Sequence, residues 1–185
     1  MKKNEDSNFL LNEEGSYSIT RSYESSQIIS IMKNVINNTR DLIITDATAC
    51  MGGDAVNFVK HFKFVNMIEK NPENFKLLIE NCKTFCTTKN YKLINEDFLK
   101  VELDQDIIYI DPPFGGRDYR DKKSITLQIN NKFLSEIIPA LNAKYIFIKA
   151  PINVNIDFNY DDIYNIYNKA KNVSFKLIFI RRKYQ

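Results

Sequence analysis

The segment Asp111-Pro112-Pro113-Phe114 has the residue types needed to hold a planar amine. Proline carries no backbone N–H, so two consecutive prolines leave a rigid segment whose polar groups are acceptors: the Asp111 carboxylate and nearby carbonyls. An aromatic ring follows directly, and such rings stack on planar bases. The segment therefore predicts a pocket for a base that presents an amino group. The alternative is a rigid turn that ends a strand, with Phe114 in the core.

Acidic residues also follow three earlier apolar runs, at Asp46, Glu69 and Asp97. Glu69 follows Asp46 at about the 20-residue spacing at which α/β nucleoside sites place the acid that accepts ribose hydroxyls. Asp97 is a candidate acceptor for an exocyclic amine such as that of adenine, with Phe98 along the ring. Each acid alone is equally consistent with a helix cap or a solvated turn, but their repetition at strand ends favours a ligand site.

The turn after Asp46 contains Gly52 and Gly53, and glycine lets a backbone approach a ligand closely because it has no Cβ. The turn lacks the GxGxxG spacing of dinucleotide sites and the GxxxxGK[ST] spacing of P-loops. An adenosine ligand without a phosphate fits this combination, and S-adenosylmethionine is the obvious candidate. No metal site is predicted, because His61 is the only histidine and no His/Cys/Asp cluster accompanies it.

Composition indicates one globular domain. The chain has 185 residues, 44% hydrophobic and 26% charged, with a net charge of +3 that permits a nucleic-acid partner. No apolar run reaches the ~18 residues of a membrane span, and the polar start does not resemble a signal peptide. The cysteines are too few for a disulfide framework, so an intracellular protein, cytoplasmic or nuclear, is expected rather than a secreted one. A monomer is favoured, and many of the asparagines are expected on the surface.

Apolar runs and helical patterns alternate along the chain at short spacing. Strands are predicted at 42–46, 64–69, 91–94, 107–110, 145–149 and 173–182. Helices are predicted at 22–38, 54–61, 72–84, 130–141 and 160–170. Ser22 is a candidate cap for the first helix, and Pro72 opens the third. The alternation predicts an α/β fold with a mostly parallel sheet of six or seven strands and helices on both faces, with the four acids beyond the carboxyl ends of strands.

One enzyme family shares motifs with four segments of the sequence: 14–20, 46–53, 111–119 and 149–153. They are similar, in that order, to the EGWFSVT, DxxCGxGG, [SD]PPWGGPxY and KLPRN motifs of the trimethylguanosine synthases, the RNA cap guanine-N2 methyltransferases. The resemblance covers about residues 9–155. It implies a Rossmann-like class I methyltransferase fold, S-adenosylmethionine as cofactor and an RNA cap or cap-like nucleotide as partner. Residues 1–21 would close over the cofactor, and residues 22–185 would form the methyltransferase domain.

The resemblance also implies roles for individual residues. Cofactor contacts are implied at Ser18, Thr20, Asp46, Thr48, Gly52, Gly53, Glu69, Asp97 and Phe98. The implied catalytic group is Asp111 and Pro112, which address the guanine N2 amine, and Phe114, which stacks on the base. Further substrate contacts are expected at Arg117, Tyr119, Arg120, Lys149 and Asn153.

Three departures from the family pattern bear on the substrate. Phe114 stands where the family has tryptophan, which offers a larger stacking surface to a cationic base. Ile152 stands where an arginine would meet cap phosphates, and the family's helical N-terminal extension is expected to be missing. The loop cations are candidates for the phosphate contacts, or else form a solvated loop: Arg117, Arg120, Lys122 and Lys123.

Two other functions remain open at this level. A guanine-N2 or adenine-N6 methyltransferase of rRNA or DNA shares the DPP[FY] signature, although Gly115-Gly116, Tyr119 and residues 15–20 favour the cap. A degenerate methyltransferase fold would serve as an RNA-binding module, but the intact acids and glycines argue against it. Frequent Ile, Lys and Asn point to an A/T-rich genome, and the compact size favours a viral or reduced-genome source.

Overall fold

The structure is a computed structural model and describes residues 8–182. The chain divides into two compact units, Met1–Glu102 and Leu103–Gln185. The predicted α/β fold class, with a mostly parallel seven-stranded sheet and helices, is confirmed. Within residues 8–182, no helix combines the length and the apolar character needed to cross a membrane.

The first unit contains three parallel strands in the order β1-β2-β3. They are β1 (Ile43–Asp46), β2 (Phe64–Ile68) and β3 (Tyr91–Ile94). The sequence predicted each of them with ends that differ by at most a residue. Ile44, Val65 and Met67 are fully buried, as expected of parallel strands that are covered on both faces.

The helices of the first unit are α1 (Glu13–Ser18), α2 (Ser22–Val35), α3 (Ala55–Phe58) and α4 (Pro72–Phe85). The helices predicted over 22–38 and 72–84 are confirmed as α2 and α4. The helix predicted over 54–61 is α3, which is shorter than predicted. The prediction of Ser22 as a cap is wrong, because the cap is Arg21 in extended backbone and Ser22 is the first helical residue. The short α1 was not predicted, since six residues are too few to show an apolar period.

The four longer strands of the second unit pair in the order β10-β11-β8-β4. Two are parallel: β4 (Ile107–Ile110) and β8 (Tyr145–Ala150). Two are antiparallel to their neighbours: β10 (Asp162–Tyr167) and β11 (Val173–Arg181). Short pieces complete the unit: β5 (Ile125–Thr126), β6 (Gln128–Ile129), β7 (Lys132–Phe133), α5 (Leu134–Ile137) and β9 (Val154–Asn155).

The helix predicted over residues 160–170 is wrong, because this segment contains the strand β10. It is rich in Ile and Tyr, which favour strands, and its partner β11 supplies the pairing. Ile166 is buried while Asp162 and Asn165 are exposed, as on the last strand of a sheet. Pairing with β11, a strand later in the chain, therefore outweighs the local helical pattern of this segment.

The helix predicted over residues 130–141 is wrong for most of its length. Asn130 and Asn131 have φ values of 51° and 62°, the left-handed backbone of a tight hairpin turn, and they join β6 to β7. The helical part is α5 and a short 3-10 turn at Ile138–Ala140, where Pro139 limits its continuation.

Candidate functional site

Three of the predicted acids lie beyond the carboxyl ends of β1, β2 and β3. Asp46 is the last residue of β1 and 2% exposed, Glu69 directly follows β2 and is 8% exposed, and Asp97 follows β3. The parallel pairing sets Asp46 opposite Met67 and Ile68 opposite Ile94. The three acids therefore share one edge of this sheet, where α/β folds bind ligands.

Local hydrogen bonds from backbone N–H groups hold the three carboxylates. The N–H of Thr48 donates to Asp46 Oδ1 at 3.2 Å, and the N–H of Asn71 donates to Glu69 Oε1 at 2.6 Å. Asp97 caps the 3-10 turn Phe98–Lys100 by accepting from the N–H of Leu99 at 3.1 Å. The cap interpretation is thus correct for Asp97. Since a carboxylate has about four lone-pair sites, a cap and a ligand contact are compatible.

The glycine turn between β1 and α3 is packed tightly by the protein itself. Its start is tied to β2 by the N–H of Ala49, which donates to the Ile68 carbonyl at 2.8 Å. Gly52 has a φ of 97°, and a Cβ there would lie 2.9 Å from Leu78. A Cβ on Gly53 would lie 2.6 Å from Ile19. Protein side chains therefore occupy the space that the missing Cβ atoms leave.

The N-terminal segment 8–20 packs on this turn. Gly15 makes room for Met51, whose Cε would lie 2.5 Å from a Cβ at that glycine. The Thr20 hydroxyl donates to Asp54 Oδ2 at 2.7 Å in a buried position. Ser18 ends α1 with an exposed side chain. The structure thus places Thr20 beside the glycine turn. Closure of Ser18 and Thr20 over a cofactor stays a prediction.

Two asparagines of α4, which the sequence analysis missed, hold the N-terminal segment in place. Asn81 is fully buried and donates to the Met51 carbonyl at 2.9 Å and to the Leu10 carbonyl at 3.0 Å. Asn74 Oδ1 accepts from the Asn12 amide at 2.7 Å. Both are exceptions to the expectation that many of the asparagines lie on the surface. The sequence did contain a signal for their burial, because Asn74 and Asn81 lie two turns apart on the same face of α4 as the buried Leu78.

The second unit contains the predicted acceptor residues. Asp111 directly follows β4, and Lys149 Nζ lies 2.7 Å from Asp111 Oδ2. The Lys149 side chain is 5% exposed and that of Asp111 is 25% exposed. Parallel pairing of Ile110 with Ile148 makes Asp111 and Lys149 neighbours at the strand ends. A side chain expected to contact substrate is thus placed against Asp111, the first residue of the acceptor segment, residues 111–122.

Two aromatic rings meet after the prolines. The rings of Phe114 and Tyr119 pack edge to face, with centroids 5.3 Å apart. Gly115 and Gly116, at φ values of 95° and 91°, turn the chain so that Tyr119 returns to Phe114. Phe114 is only partly buried, so the interpretation of this ring as a core residue is wrong. Pro112 is buried beside it.

Arg120 belongs to the same aromatic cluster. Its Nε donates to the Tyr119 hydroxyl at 3.1 Å, and its guanidinium lies 5.5 Å from that ring's centroid. Lys122 and Lys123 are exposed in the same loop. Arg117, the fourth predicted loop cation, has a side chain outside the described residues. Three cationic side chains therefore reach solvent around a partly exposed pair of rings.

Asn153 holds the loop that carries these cations. Its amide nitrogen donates to the Tyr119 carbonyl at 2.9 Å and to the Lys122 carbonyl at 2.7 Å. The N–H of Ile125 donates to the Asn153 carbonyl at 3.0 Å, where β5 begins to pair with β9. Ile152, in the position where the family has arginine, is 48% exposed.

Comparison with known proteins identifies a family. A model of the family described as RNA cap guanine-N2 methyltransferase matches residues 40–182. The L320 protein of Acanthamoeba polyphaga mimivirus is 28% identical over 162 residues. This match covers 83% of the chain and 63% of L320, so the chain spans less than two thirds of that relative's length.

Solved structures show the fold. The tRNA m1G37 methyltransferase of M. jannaschii is similar with a TM-score of 0.56 and 14% identity, over 90% of this chain and 52% of that chain. An rRNA methylase from Streptococcus thermophilus is similar with a TM-score of 0.53 and 12% identity, over 85% of this chain and 95% of that chain. The fold is therefore that of the Rossmann-like class I methyltransferases, and the cofactor is S-adenosylmethionine, as predicted.

The first unit has hydrogen-bond acceptors that fit this cofactor. S-adenosylmethionine presents an ammonium group and two ribose hydroxyls, which are hydrogen-bond donors and need acceptors. Asp46 and Glu69 are buried carboxylates beyond adjacent strands of one sheet edge. Asp97 adds a third acceptor at the same edge, where an adenine amine would need one.

Proposed function

Because the chain belongs to the RNA cap guanine-N2 methyltransferase family, we propose that it methylates the N2 amine of guanine in the 7-methylguanosine cap of RNA. The observation that carries this proposal is the acceptor segment, where Asp111 and two prolines precede a partly exposed Phe114. The segment supplies acceptors for an amine and a ring for the base that bears it. A cap or a cap-like nucleotide presents both.

We assign the cofactor to residues of the first unit. Asp46, Thr48 and the glycine turn would hold the methionine part, Glu69 the ribose, and Asp97 with Phe98 the adenine. Ser18 and Thr20 would close over it. When bound, S-adenosylmethionine would supply an electrophilic methyl group on its sulfonium sulfur; that sulfur would keep the electron pair of the broken carbon–sulfur bond, and the methylated amine would lose one proton to water.

We assign the guanine to residues of the second unit. The N2 lone pair is delocalised into the ring, so this amine is a weak nucleophile and deprotonation before attack would be costly. The Asp111 carboxylate and a carbonyl of the Pro112 segment would accept hydrogen bonds from the amine and favour the positive charge that develops on nitrogen. Phe114 would fix the plane of the base, so most of the rate gain comes from positioning.

We assign the phosphates to the cationic loop after Phe114. Arg120 already lies at the aromatic cluster, and Lys122 and Lys123 are exposed beside it. These side chains, together with Arg117, would supply charge that Ile152 does not. We propose that the chain acts as a monomer. We place it inside the cell, in cytoplasm or nucleus, since an RNA substrate and three cysteines outside any disulfide, Cys50, Cys82 and Cys86, suit such a compartment.

Two features favour a second candidate, a guanine-N2 or adenine-N6 methyltransferase of rRNA or DNA. Ile152 is an exposed apolar residue where cap recognition would use an arginine. Phe114 also offers a smaller surface than tryptophan to a cationic base. Both features weaken the selection of a charged cap over a neutral base within a longer nucleic acid.

The experiment that tests these proposals is methyl transfer from labelled S-adenosylmethionine. The acceptors are GTP, 7-methyl-GDP, capped RNA, uncapped RNA and DNA, and digestion of the product identifies the methylated nucleoside. The cap proposal predicts label in N2-methylguanine from 7-methyl-GDP and capped RNA. Label in uncapped RNA or DNA supports the second candidate, whereas binding of capped RNA without any transfer supports an RNA-binding module.

A further inference from the structure

The segment from Lys149 to Asn153 contacts both ends of the acceptor segment. Lys149, near the end of β8, pairs with Asp111 at the start of that segment. Asn153, just beyond β8, binds the carbonyls of Tyr119 and Lys122 near its end. The residues between these contacts include the aromatic pair and its glycines. One short stretch of chain therefore contacts the acceptor segment at both of its ends.

Lys149 is placed to act on Asp111 rather than on a substrate. Its side chain is 5% exposed, whereas the Asp111 side chain is 25% exposed. The ammonium nitrogen also lies 4.7 Å from the centre of the Phe175 ring, an interaction that suits a buried cation. A buried ammonium needs a counterion, and the Asp111 carboxylate lies where it supplies one, which fixes one of its oxygens. Asp111 then reaches solvent as a rigid acceptor.

Asn153 has committed its donors to the protein. A carboxamide nitrogen carries two hydrogens, and these go to the carbonyls of Tyr119 and Lys122, at 2.9 and 2.7 Å. No hydrogen of that nitrogen is left for a phosphate or a base. What the side chain does is fix the turn that brings Tyr119 back to Phe114.

We propose that Lys149 and Asn153 are positioning residues, which hold the two ends of the acceptor segment and do not themselves bind the substrate. This inference rests on the proposed function, since it concerns the same site. The proposal predicts a different kinetic effect for each residue. Lys149 sets the acceptor geometry at the amine and thus kcat. Asn153 sets the positions of the aromatic pair and the cationic loop and thus the KM for the acceptor.

A double-mutant cycle tests Lys149 through Asp111, with variants Lys149→Met, Asp111→Asn and both together. If Lys149 acts only through Asp111, Lys149→Met lowers kcat about tenfold or more in the natural chain and less than about twofold in the Asp111→Asn background. Lys149→Arg keeps the charge and restores part of the rate. Effects that multiply in the double variant would show that Lys149 acts independently of Asp111 and would overturn its positioning role.

Limited trypsin digestion tests Asn153 without any substrate, because the loop it holds contains Arg117, Arg120, Lys122 and Lys123. Asn153→Ala and Asn153→Asp both remove the donors, so both should be cut in this loop several times faster than the natural chain. The matched control is Asn159→Ala, which changes an exposed asparagine outside the site and should keep the natural rate. A natural cleavage rate combined with a raised acceptor KM would mean that Asn153 binds substrate directly.

The two proposals fail in different ways. A natural chain that methylates no guanine acceptor refutes the proposed function, while the trypsin rates still decide Asn153. The same cycle read by thermal unfolding then decides Lys149, because removing Asp111 must abolish most of the stability effect of Lys149→Met if the two act as a pair. Additive unfolding effects would overturn the pairing.

Discussion

Asn81 and Leu10 exchange two hydrogen bonds, although 71 positions separate them in the chain. The Leu10 N–H donates to Asn81 Oδ1 at 2.8 Å, and Asn81 Nδ2 donates back to the Leu10 carbonyl at 3.0 Å. The side chain thus imitates a strand partner for the N-terminal segment. Its bond to the Met51 carbonyl extends the link to the glycine turn.

Replacement of this asparagine is expected to destabilise the fold. Asn81→Ala removes the partner of the buried Met51 carbonyl, at a cost of about 1–3 kcal/mol, and also two bonds to the part-buried backbone of Leu10. The free energy of unfolding, measured by urea denaturation, should fall by at least this amount. The matched control Asn37→Ala changes an exposed asparagine and should stay within about 0.5 kcal/mol of the natural chain. Equal stability of the two variants would show that the link does not hold the segment.

Asp46 is expected to be required for cofactor binding. Asp46→Asn keeps an oxygen for the Thr48 N–H and removes the charge that an ammonium group needs. S-adenosylmethionine at about 100 times its Kd should stabilise the natural chain by about 2.7 kcal/mol, seen as a rise in Tm, and the variant should lose this rise. Asp104→Asn, a change of an exposed acid, should keep it. An undiminished rise in Asp46→Asn would remove Asp46 from the cofactor site.

Phe114 is expected to carry the stacking energy of the base. Phe114→Ala should weaken cap binding by about 1–3 kcal/mol, the scale of base–aromatic stacking, with cofactor affinity unchanged. Phe114→Trp should tighten binding of 7-methylguanine compounds, since a cationic base gains more from a larger π surface. Phe133→Ala, at a ring that is 40% exposed, is the matched control for loss of an aromatic side chain. Full cap affinity in a folded Phe114→Ala variant would show that the base stacks elsewhere.

His61 is expected to make stability fall on mild acidification. Partial burial, and then the charges of Lys33, Arg40 and Lys60, hold the pKa of His61 below its usual 6.5. The unfolded state therefore binds the proton more readily, so stability is retained above about pH 6.5 and declines as the pH falls below it. His61→Gln cannot titrate, and its Tm should decline less between about pH 7.5 and 5.5. Parallel Tm curves for the two proteins would contradict this linkage.

The sequence by itself determined where the central strands lie along the chain. β1, β2, β3, β4, β8 and β11 are each rich in apolar residues, and in β1, β2, β4 and β8 nearly every position is buried, which leaves a continuous signal. The motifs at their ends were readable for a related reason. Glycine permits left-handed backbone that other residues rarely adopt, and proline fixes φ, so Gly52 and Pro112 mark breaks in regular structure wherever the chain later packs.

Only the tertiary structure decided what depends on a distant partner. Residues 162–167 became β10 because β11 supplies hydrogen bonds, and no local pattern contains that partner. Asn81 became a buried link because Leu10 and Met51 arrive beside it, and Lys149 turned toward Asp111 because β4 and β8 are parallel neighbours. A polar side chain has no spatial preference until a partner offsets the loss of water, and that partner is chosen by the packing of the whole chain.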